Sequence, residues 1–527
     1  MTDQYDVVVI GGGAAGLSGA LTLARARRTV LVVDAGQQRN NPADHVHNYL
    51  GREGAPPAEL AEAGRAEVTG YGGEIVPGRV ESAVRDGDRF AVTLADGRRV
   101  RARRLLLAVG LVDQLPDLPG LAQHWGGDVV HCPYCHGWEV RDRRIGVLAV
   151  SSLALHQAEL WRQWTPNLLL LLNGQPDLDP EQAERFAARG IVVVPEPVVA
   201  LETAHSRLTG VRLDSGETVA LEVLAIGTGL TARGELFGSL GLTPVDVEFG
   251  GQVIGSQLRT DPTGATDVPG VWAAGNVADV LAQAIVAAAA GLKAGAMINF
   301  DLVAEDGTAA VEHYREQIRT IFERDAWEQR YQARPSIWSG NPNPQLVAEA
   351  TDLPAGRALD VGSGEGADAI WLAARGWRVT ATDISTTALE RAATHARTAG
   401  DEVAARITWL QADLREQPPA AAGFDLVSAQ FMHLPGEPRR ELFARLAAAV
   451  APGGTLLIVG HHPSDLRTTA ARMHFPEMMY TAEEVAAALD PGHWQVLTTA
   501  ARPRTATDLA GNEIAIQDAV LVARRRG

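Results

Sequence analysis

Cysteine is nearly absent from this chain, whose 527 residues include only two. So few thiols exclude the disulfide framework of a small secreted protein. A zinc site built from cysteine pairs is also disfavoured, because no second pair is present to complete four ligands. We therefore expect no metal site and a protein of the reducing cytoplasm.

Positive charge and long apolar runs are also scarce. Lys and Arg total 47 against 64 Asp and Glu, a formal net charge of −17. This balance argues against nucleic acid or an anionic membrane surface as the main partner. The most apolar stretch, residues 281–298, is rich in alanine and glycine and is interrupted by Gln283 and Lys293, so it does not suit a bilayer span. The first residues enter a strand directly, with no apolar signal region.

The two cysteines lie close together, with two residues between them, in the segment His131-Cys-Pro-Tyr-Cys-His136. Thiols at this spacing can close a disulfide, and the arrangement lowers the pKa of one thiol, so a reactive thiolate exists near neutral pH. The spacing beside a βαβ pattern favours a redox pair over a structural pair or a metal site.

A glycine-rich turn follows the first predicted strand, residues 5–10, and opens a helix. Gly11 makes the turn, Gly13 lets the backbone approach a pyrophosphate, and Gly16 lets helix and strand pack closely. Asp34 ends the second strand, where an acid accepts hydrogen bonds from ribose hydroxyls. The unit predicts dinucleotide binding.

The order of motifs carries a family resemblance. The fingerprint, a buried strand ending at Gly110, the C-x-x-C and the segment Pro269-Gly-Val-Trp-Ala-Ala-Gly-Asn276 resemble the low-molecular-weight thioredoxin reductases, FAD flavoproteins, over residues 1–305. The resemblance implies an FAD-binding domain of residues 1–113 and 233–305, and a pyridine-nucleotide-type domain of residues 114–232 that carries the C-x-x-C. The implied FAD contacts are Gly11, Gly13, Ala15, Gly16, Asp34, Asn48, Gly110, Gly275, Asn276 (Asp in the family), Gln283 and Ala284.

The chain departs from this family at two places. Its second nucleotide turn carries Ala149 and Ser151 instead of glycines, and a Cβ at these positions obstructs a pyrophosphate. The basic cluster that reads the 2′-phosphate is missing as well, so the use of NADPH is left open. In addition, His136 stands where the reductases have an acid, which is similar to the FAD-dependent dithiol oxidases of the same fold.

The resemblance also implies the roles of the redox residues. Cys135 would face the flavin, Cys132 would exchange with substrate, and His136 would take and return a proton near physiological pH. His45, His47 and His131 are weaker candidates for that task. The implied partner is a small thiol or disulfide, or a thioredoxin-like protein, and we expect a homodimer.

A second α/β domain follows. We predict a polar turn at residues 304–308, a helix over residues 311–332, a linker and lid over residues 306–345, and a domain of residues 346–527. An acid before the glycines of its turn resembles motif I of the class I S-adenosylmethionine-dependent methyltransferases. The residues that this family implies at the methyl-donor site are Asp360, Gly362, Gly364, Gly366, Asp383, Asp413 and Gln430.

The methyl acceptor is less visible. The Asn-Pro-Pro-Tyr of amino-directed nucleic-acid methyltransferases is missing after the fourth strand. Residues 327–331 and 338–343 resemble the N-terminal lid of small-molecule and thiol-type methyltransferases. His433, His461 and His462 follow strands whose carboxyl ends place substrate in open α/β sheets, although methyl transfer to a thiolate requires mainly alignment.

The expected fold class is α/β throughout, a two-domain FAD/NAD(P)-binding Rossmann-like flavoprotein followed by a Rossmann-like class I methyltransferase domain. Three interpretations stay open. The chain is a bifunctional enzyme that handles a small dithiol or disulfide and methylates a small molecule, an NADPH-dependent thioredoxin-disulfide reductase fused to an unrelated methyltransferase, or a non-enzymatic flavin redox sensor.

Overall fold

A computed structural model describes residues 3–234, 236–432, 434–470, 475–508 and 510–527. The chain forms two compact units, Met1–Gly307 and Thr308–Gly527. Each is an α/β unit, as the sequence predicts. His433, one of the histidines considered as a base, lies outside the described residues.

The first unit contains three parallel or mixed sheets and a small antiparallel one. Its helices are α1 (Ala14–Arg25), α2 (Pro57–Gly70), α3 (Leu121–His124), α4 (Pro133–His136), α5 (Leu153–Trp161), α6 (Pro180–Ala188), α7 (Phe237–Leu240) and α8 (Ala284–Ile321), with a 3-10 turn at Gly275–Val277. Its strands are β1 (Gln4–Ile10), β2 (Val30–Asp34), β3 (Glu74–Pro77), β4 (Val80–Asp86), β5 (Arg89–Leu94), β6 (Arg99–Leu107), β7 (Leu111–Gln114), β8 (Val129–Val130), β9 (Ile145–Leu148), β10 (Leu168–Leu171), β11 (Val192–Val194), β12 (Val198–Ala204), β13 (Arg207–Leu213), β14 (Thr218–Ala220), β15 (Val223–Ile226), β16 (Gly229–Ala232), β17 (Val245–Phe249), β18 (Gln252–Gln257) and β19 (Val271–Ala273).

The largest sheet of this unit has the order β3-β2-β1-β6-β5-β4, with β19 beside β6. Strand β1 pairs in parallel with β2 and β6, and β19 pairs in parallel with β6. Strands covered on both faces need nearly continuous apolar runs, and Val7–Ile10 is such a run. The carboxyl ends of β1, β6 and β19 therefore meet at one edge of the sheet.

A second parallel sheet has the order β11-β10-β9-β15-β8. Strand β8 leads into Cys132, and its neighbour β15 leads into Thr228. Each of these two residues follows two positions after the last residue of its strand, so both lie at the same edge of the sheet.

The predicted polar turn at residues 304–308 is wrong, because α8 is continuous through it. Arg103 and Arg104 on β6 hold this part of the helix: Arg104 Nε lies 2.5 Å from Asp301, and Arg103 Nη2 lies 2.8 Å from Glu305. These ion pairs and the cover of the sheet outweigh the cost of about 1 kcal/mol for a glycine inside a helix. The predicted helix over 311–332 is also two helices, since α8 ends at Ile321 and the next begins at Arg324.

One helical segment, Ala284–Ile318, is long and apolar enough to cross a membrane by length and composition alone. Ala287, Ala294, Ile298 and Leu302 of this segment are buried against the largest sheet of the first unit. Helices that pack in the core of a globular domain pass the same test, so the segment is weak evidence for a membrane span.

The second unit is one seven-stranded sheet with helices on both faces. Its helices are α9 (Arg324–Gln332), α10 (Pro344–Ala350), α11 (Ala367–Ala374), α12 (Thr386–Ala399), α13 (Asp401–Ala404), α14 (Gly436–Ala449) and α15 (Ala482–Ala486), with 3-10 turns at Pro463–Arg467 and Pro476–Met478. Its strands are β20 (Arg357–Val361), β21 (Arg378–Asp383), β22 (Ile407–Gln411), β23 (Phe424–Gln430), β24 (Val450–His461), β25 (Trp494–Thr507) and β26 (Glu513–Arg525).

The strand order in this unit is β22-β21-β20-β23-β24-β26-β25, with β26 antiparallel to both of its neighbours. The order reverses between β20 and β23. Open α/β sheets bind ligands at such a switch point, beyond the carboxyl ends of the strands. Asp360 near the end of β20, Asp383 at the end of β21 and Gln430 at the end of β23 lie there.

Candidate active sites

One large cleft, of about 1540 Å³, opens at the edge where β1, β6 and β19 end. Twelve of the predicted flavoprotein residues line it, and only Gly16 and Asn48 are not among its lining residues. The twelve are Gly11, Gly13, Ala15, Asp34, Gly110, Cys132, Cys135, His136, Gly275, Asn276, Gln283 and Ala284. The fold thus brings the predicted dinucleotide site and the redox pair into one space.

The glycine turn after β1 has the shape that a pyrophosphate site requires. Gly11 has φ +116°, and a Cβ there would lie 2.2 Å from the Ala108 carbonyl oxygen. A Cβ on Gly16 would lie 1.9 Å from the Gly11 carbonyl oxygen, so this glycine serves close packing of helix and strand. A Cβ on Gly13 would meet nothing within 4 Å. The cleft therefore reaches the Gly13 backbone, and the turn fits FAD.

This geometry predicts that Gly13→Ala will separate cofactor binding from folding. Gly13 has φ −83° and ψ −174°, which alanine adopts without strain. The methyl group would stand where the pyrophosphate approaches, and loss of one charge-assisted hydrogen bond costs about 1.5–3 kcal/mol, so the Kd for FAD should rise at least about tenfold.

Fluorescence titration of the apoprotein with FAD measures this Kd, and circular dichroism of the same sample checks the fold. Gly16→Ala is the matched comparison and should disrupt folding itself. Normal FAD affinity in Gly13→Ala would exclude Gly13 from the cofactor site.

Asn276 shows why this chain can use an amide where the family has an acid. Its Nδ2 donates to the carbonyl oxygens of Asp279 and Ala282, at 3.1 and 2.9 Å. A carboxylate cannot donate these hydrogen bonds. Asn276 therefore holds the loop before α8 and is also part of the cleft lining.

The redox pair lies at the start of the short helix α4. Cys132 is the N-cap residue, and the backbone N–H groups of Cys135 and His136 each donate to its carbonyl oxygen at 3.1 Å. A hydrogen bond from the Cys135 thiol lowers the pKa of Cys132 to about 7, because it stabilises the thiolate against the opposing effect of burial. The same bond and burial raise the pKa of Cys135. Cys132 is therefore the thiol of the reduced pair with the lower pKa.

His136 is half-buried in the cleft wall, and both of its ring nitrogens are shielded from solvent. Burial lowers its pKa below the usual value, so the ring is neutral at physiological pH. A neutral imidazole has one unprotonated nitrogen, which can accept a proton from a bound thiol.

His131, a weaker candidate for the proton acceptor, has one ring nitrogen against a backbone carbonyl oxygen. Its Nδ1 lies 3.1 Å from the Ile226 carbonyl oxygen.

Asn48 and His47 hold the redox helix. The Asn48 Nδ2 donates to the Tyr134 carbonyl oxygen, between the two cysteines, at 2.8 Å. His47 Nε2 lies 3.4 Å from Glu139, which follows the redox helix, and its Nδ1 lies 2.7 Å from Glu53. Asn48, predicted as a cofactor contact, thus supports the position of the thiols.

The methyltransferase-like motif has its own site at the switch point of the second sheet. Asp383 accepts hydrogen bonds from the backbone N–H groups of Gly364 and Ser385, each at 2.9 Å. Gly362, Gly364 and Gly366 all have positive φ, which glycine adopts without a steric penalty. Asp383 therefore fixes the turn against the end of β21.

Asp360 lies under this turn. It is 2% exposed, and its Oδ2 has no hydrogen-bond partner in the described part of the chain. Burial, together with Asp368 and Asp383, raises its pKa. A buried orphan acceptor beside a glycine turn suits the ammonium group of S-adenosylmethionine, which would supply a hydrogen-bond donor and a positive charge. These residues fit the methyl donor.

The segment around α9 covers the turn. A Cβ on Gly364 would lie 3.0 Å from Trp338 Nε1 and 3.1 Å from the Tyr331 hydroxyl, and these two groups are hydrogen-bonded to each other at 3.0 Å. Glu365 accepts from the Trp338 backbone N–H and pairs with Arg391 at 3.0 Å. The structure thus puts the predicted lid residues directly on the glycine turn.

Sequence reasoning missed Glu365 and Arg391. Burial alone would raise the pKa of Glu365, but the hydrogen bonds from Trp338 and Arg391 outweigh it and lower that pKa. The available signal was the acid enclosed between two glycines of the turn.

The other residues predicted for the second unit make contacts of different kinds. Asp413 accepts from Arg415 Nε at 2.9 Å, and Gln430 donates to Ser428 Oγ at 2.9 Å while its Oε1 is buried and unpaired within the described ranges. His462 Nδ1 accepts from the Ser464 backbone N–H and caps a 3-10 turn. His461 stacks at 4.8 Å on Phe431, which directly follows β23. No group of three or more described His, Cys, Asp or Glu residues is arranged to hold a metal ion.

Comparison with known proteins bears on both halves. Residues 5–291 match the model of the pyridine nucleotide-disulphide oxidoreductases, and residues 358–454 match a methyltransferase domain. The chain belongs to the pyridine nucleotide-disulphide oxidoreductase family. It carries a methyltransferase domain in addition, and it is an enzyme with both kinds of domain.

Several curated proteins and solved structures are similar to somewhat more than half of this chain. Thioredoxin reductase sirT of Leptosphaeria maculans is 30% identical over 58% of this chain and 96% of its own length. Thioredoxin reductase tcpT of Claviceps purpurea is 32% identical over 57% of this chain and 95% of its own length. Among solved structures, HlmI is 40% identical with a TM-score of 0.56, covering 61% of this chain and 98% of its own. An Agrobacterium tumefaciens oxidoreductase is 36% identical with a TM-score of 0.53, covering 57% and 99%.

This oxidoreductase family implies FAD and a pyridine nucleotide, but the second nucleotide turn of this chain does not fit the latter. The β9–α5 connection contains no glycine. Its Ala149 is 1% exposed, and the Ser151 hydroxyl accepts from the Leu153 N–H at the start of α5, at 3.4 Å. The helix N–H that would face a phosphate is thus already bonded.

Proposed function

We propose that the first unit oxidises a small dithiol to its disulfide with FAD as cofactor. The second unit transfers a methyl group from S-adenosylmethionine to a small molecule, at sulfur. The position of His136 in the wall of the Cys132–Cys135 cleft, with its ring nitrogens shielded from solvent, carries the first part, because a dithiol oxidase must remove protons from its substrate. The cytoplasm is the compartment that suits such a free dithiol pair.

The chemistry follows from the two thiols. A substrate thiolate attacks the Cys132–Cys135 disulfide at Cys132, and the substrate's second thiol then displaces Cys132 and leaves as a disulfide. His136 accepts the proton of the attacking thiol. Two electrons remain on the Cys132 and Cys135 thiols, and FAD, which the turn at Gly11 and Gly13 would hold in the same cleft, would supply two-electron acceptor chemistry there. Molecular oxygen takes these electrons with two protons and becomes hydrogen peroxide.

An anaerobic stopped-flow experiment tests this function. Dithiothreitol should bleach the flavin absorbance rapidly, whereas micromolar NADPH should not. Air should then restore the absorbance and yield one hydrogen peroxide per dithiol. Rapid bleaching by NADPH would favour instead a reductase, the activity named for the relatives of the flavoprotein half.

His136→Ala adds a second arm to the same experiment. If His136 moves the proton, the variant should lower the dithiol-driven rate by about 10²–10⁴-fold with FAD content unchanged. An unchanged rate would mean that water or His131, and not His136, accepts the substrate proton.

We also infer a homodimer. The outer face of α8 carries a stripe of exposed apolar side chains at helical spacing: Val286, Leu292, Phe300 and Val303, which are 47%, 54%, 70% and 55% exposed. Burial of such a stripe against a second copy would remove it from water. Sedimentation of Phe300→Glu, which should shift the protein to monomer, checks this interface.

A further inference from the structure

A half-buried ion pair lines the same cleft as the redox cysteines. The Arg39 guanidinium donates to both carboxylate oxygens of Asp113, from Nε and Nη2, each at 2.8 Å. The Thr228 hydroxyl donates to the same carboxylate at 2.8 Å. The two charged side chains are 27% and 9% exposed. Such a bidentate fork holds a guanidinium in one orientation.

The fold connects this pair to the thiols. Thr228 lies beyond the end of β15, and the neighbouring strand β8 leads into Cys132. His131 Nδ1 contacts the Ile226 carbonyl oxygen at 3.1 Å, which fixes the residue before Cys132 to the same strand end. Arg39, Asp113 and both cysteines line one cleft.

The charge of Arg39 acts on both cysteines, whereas the charge of Asp113 acts on His131. The largest effects on the pKa of Cys132 are the hydrogen bond from Cys135, burial and the backbone hydrogen bonds. The positive charge of Arg39 adds a smaller effect that lowers this pKa. The same charge also acts to lower the pKa of Cys135, against the effects that raise it. Asp113 acts on His131 and is itself kept ionised, since Arg39 outweighs the effect of burial on its pKa. The ionisable side chains around the thiols are Arg39, His47, Asp113, His131, His136 and Glu139.

We propose that Arg39, oriented by Asp113, is a positioning residue that stabilises the Cys132 thiolate and so sets the pH range of thiol exchange. Arginine stays protonated at every working pH and needs no partner proton. A neighbouring cation favours the charged form of a thiol. The inference rests on the proposed thiol chemistry at Cys132 and adds the group that tunes it.

The test measures the thiol itself without turnover. The reduced, full-length, FAD-loaded protein is treated with iodoacetamide from pH 5.5 to 9.5, and the alkylated Cys132 peptide is quantified by mass spectrometry. The wild-type half-point should lie near the pKa of about 7. Arg39→Met should move it up by about one unit, which makes alkylation at pH 7 about fivefold slower.

Two further variants distinguish charge from scaffold. Arg39→Lys keeps the charge and should lie close to wild type. Asp113→Asn loosens the fork that holds the Arg39 guanidinium and should move the half-point up by less than Arg39→Met does. A purely structural role predicts the same upward shift for Arg39→Lys as for Arg39→Met, and that result would overturn the proposal.

Arg207→Met serves as the control. Arg207 pairs with the buried Asp128 at 2.8 Å in the same unit, but it does not line the cleft. Its half-point should equal that of wild type. If dithiols are not turned over but the alkylation profiles are as expected, the proposed oxidase function is wrong and the role of Arg39 stands. The oxidase function and the role of Arg39 can therefore be refuted separately.

Discussion

Cys135→Ser is expected to abolish flavin reduction by dithiols, while Cys132→Ser should give a stable protein with a long-wavelength absorbance band. Three effects raise the pKa of Cys135, and two of them, the hydrogen bond to Cys132 and the repulsion by its charge, come from Cys132. Replacing Cys132 removes both, and Arg39 then favours the Cys135 thiolate. A thiolate next to an oxidised flavin gives a charge-transfer band, which Cys135→Ser cannot show.

Absorbance spectra of both variants between pH 6 and 9, before and after addition of dithiothreitol, measure this difference. FAD content, determined by release of the flavin, is the control for both proteins. The opposite assignment of the band would mean that Cys132 faces the flavin and Cys135 exchanges with substrate.

The position of the dinucleotide site could be predicted because its determinants are local. Gly11, Gly13 and Gly16 follow one strand, and the structure explains each by a backbone neighbour or by open space within a few ångströms. In the second unit the neighbours are side chains instead: a Cβ on Gly362, Gly364 or Gly366 would meet Met432, Trp338 or Trp409. Parallel strands then bring separate turns to one edge, so the order of motifs predicts which turns lie close together.

Long-range pairs could not be predicted. The ion pair of Arg39 and Asp113 joins residues 74 positions apart, and neither sits in a recognisable motif. The helical course of residues 304–308 depends likewise on Arg103 and Arg104, about 200 positions earlier. Their local composition, Ala-Glu-Asp-Gly-Thr, is that of a turn, and tertiary ion pairs override it.

The lid over the second glycine turn could be predicted only in part. Aromatic residues before the second domain indicated a cover, but which of them touches the glycine turn depends on the path of the loop after α9. Trp338 and Tyr331 reach Gly364 because Glu365 binds the backbone of the loop. That carboxylate lies in the turn itself, so the turn and its cover are joined by a residue that the motif treats as variable.

We expect the flavoprotein half and the methyltransferase domain to act on the same dithiol substrate. A reactive dithiol can be masked by closing its disulfide or by methylating its sulfurs, and both reactions start from the same reduced thiolate. We expect small vicinal dithiols to give disulfide in air when S-adenosylmethionine is absent. Mono- and bis-S-methyl products should appear when it is present, measured by mass spectrometry of the reaction mixture.

Asp383→Ala should remove the methylated products without slowing oxidation. Asp383 holds the glycine turn through Gly364 and closes the end of β21, and loss of hydrogen bonds to a charged group costs about 1.5–3 kcal/mol, so methyl-donor affinity should fall about 10- to 100-fold. Cys135→Ser is the matched variant in the other half, and it should stop oxidation while S-methylation continues. If no thiol accepts a methyl group while an oxygen or nitrogen nucleophile does, the two domains act on different substrates, and their fusion then reflects only neighbouring genes.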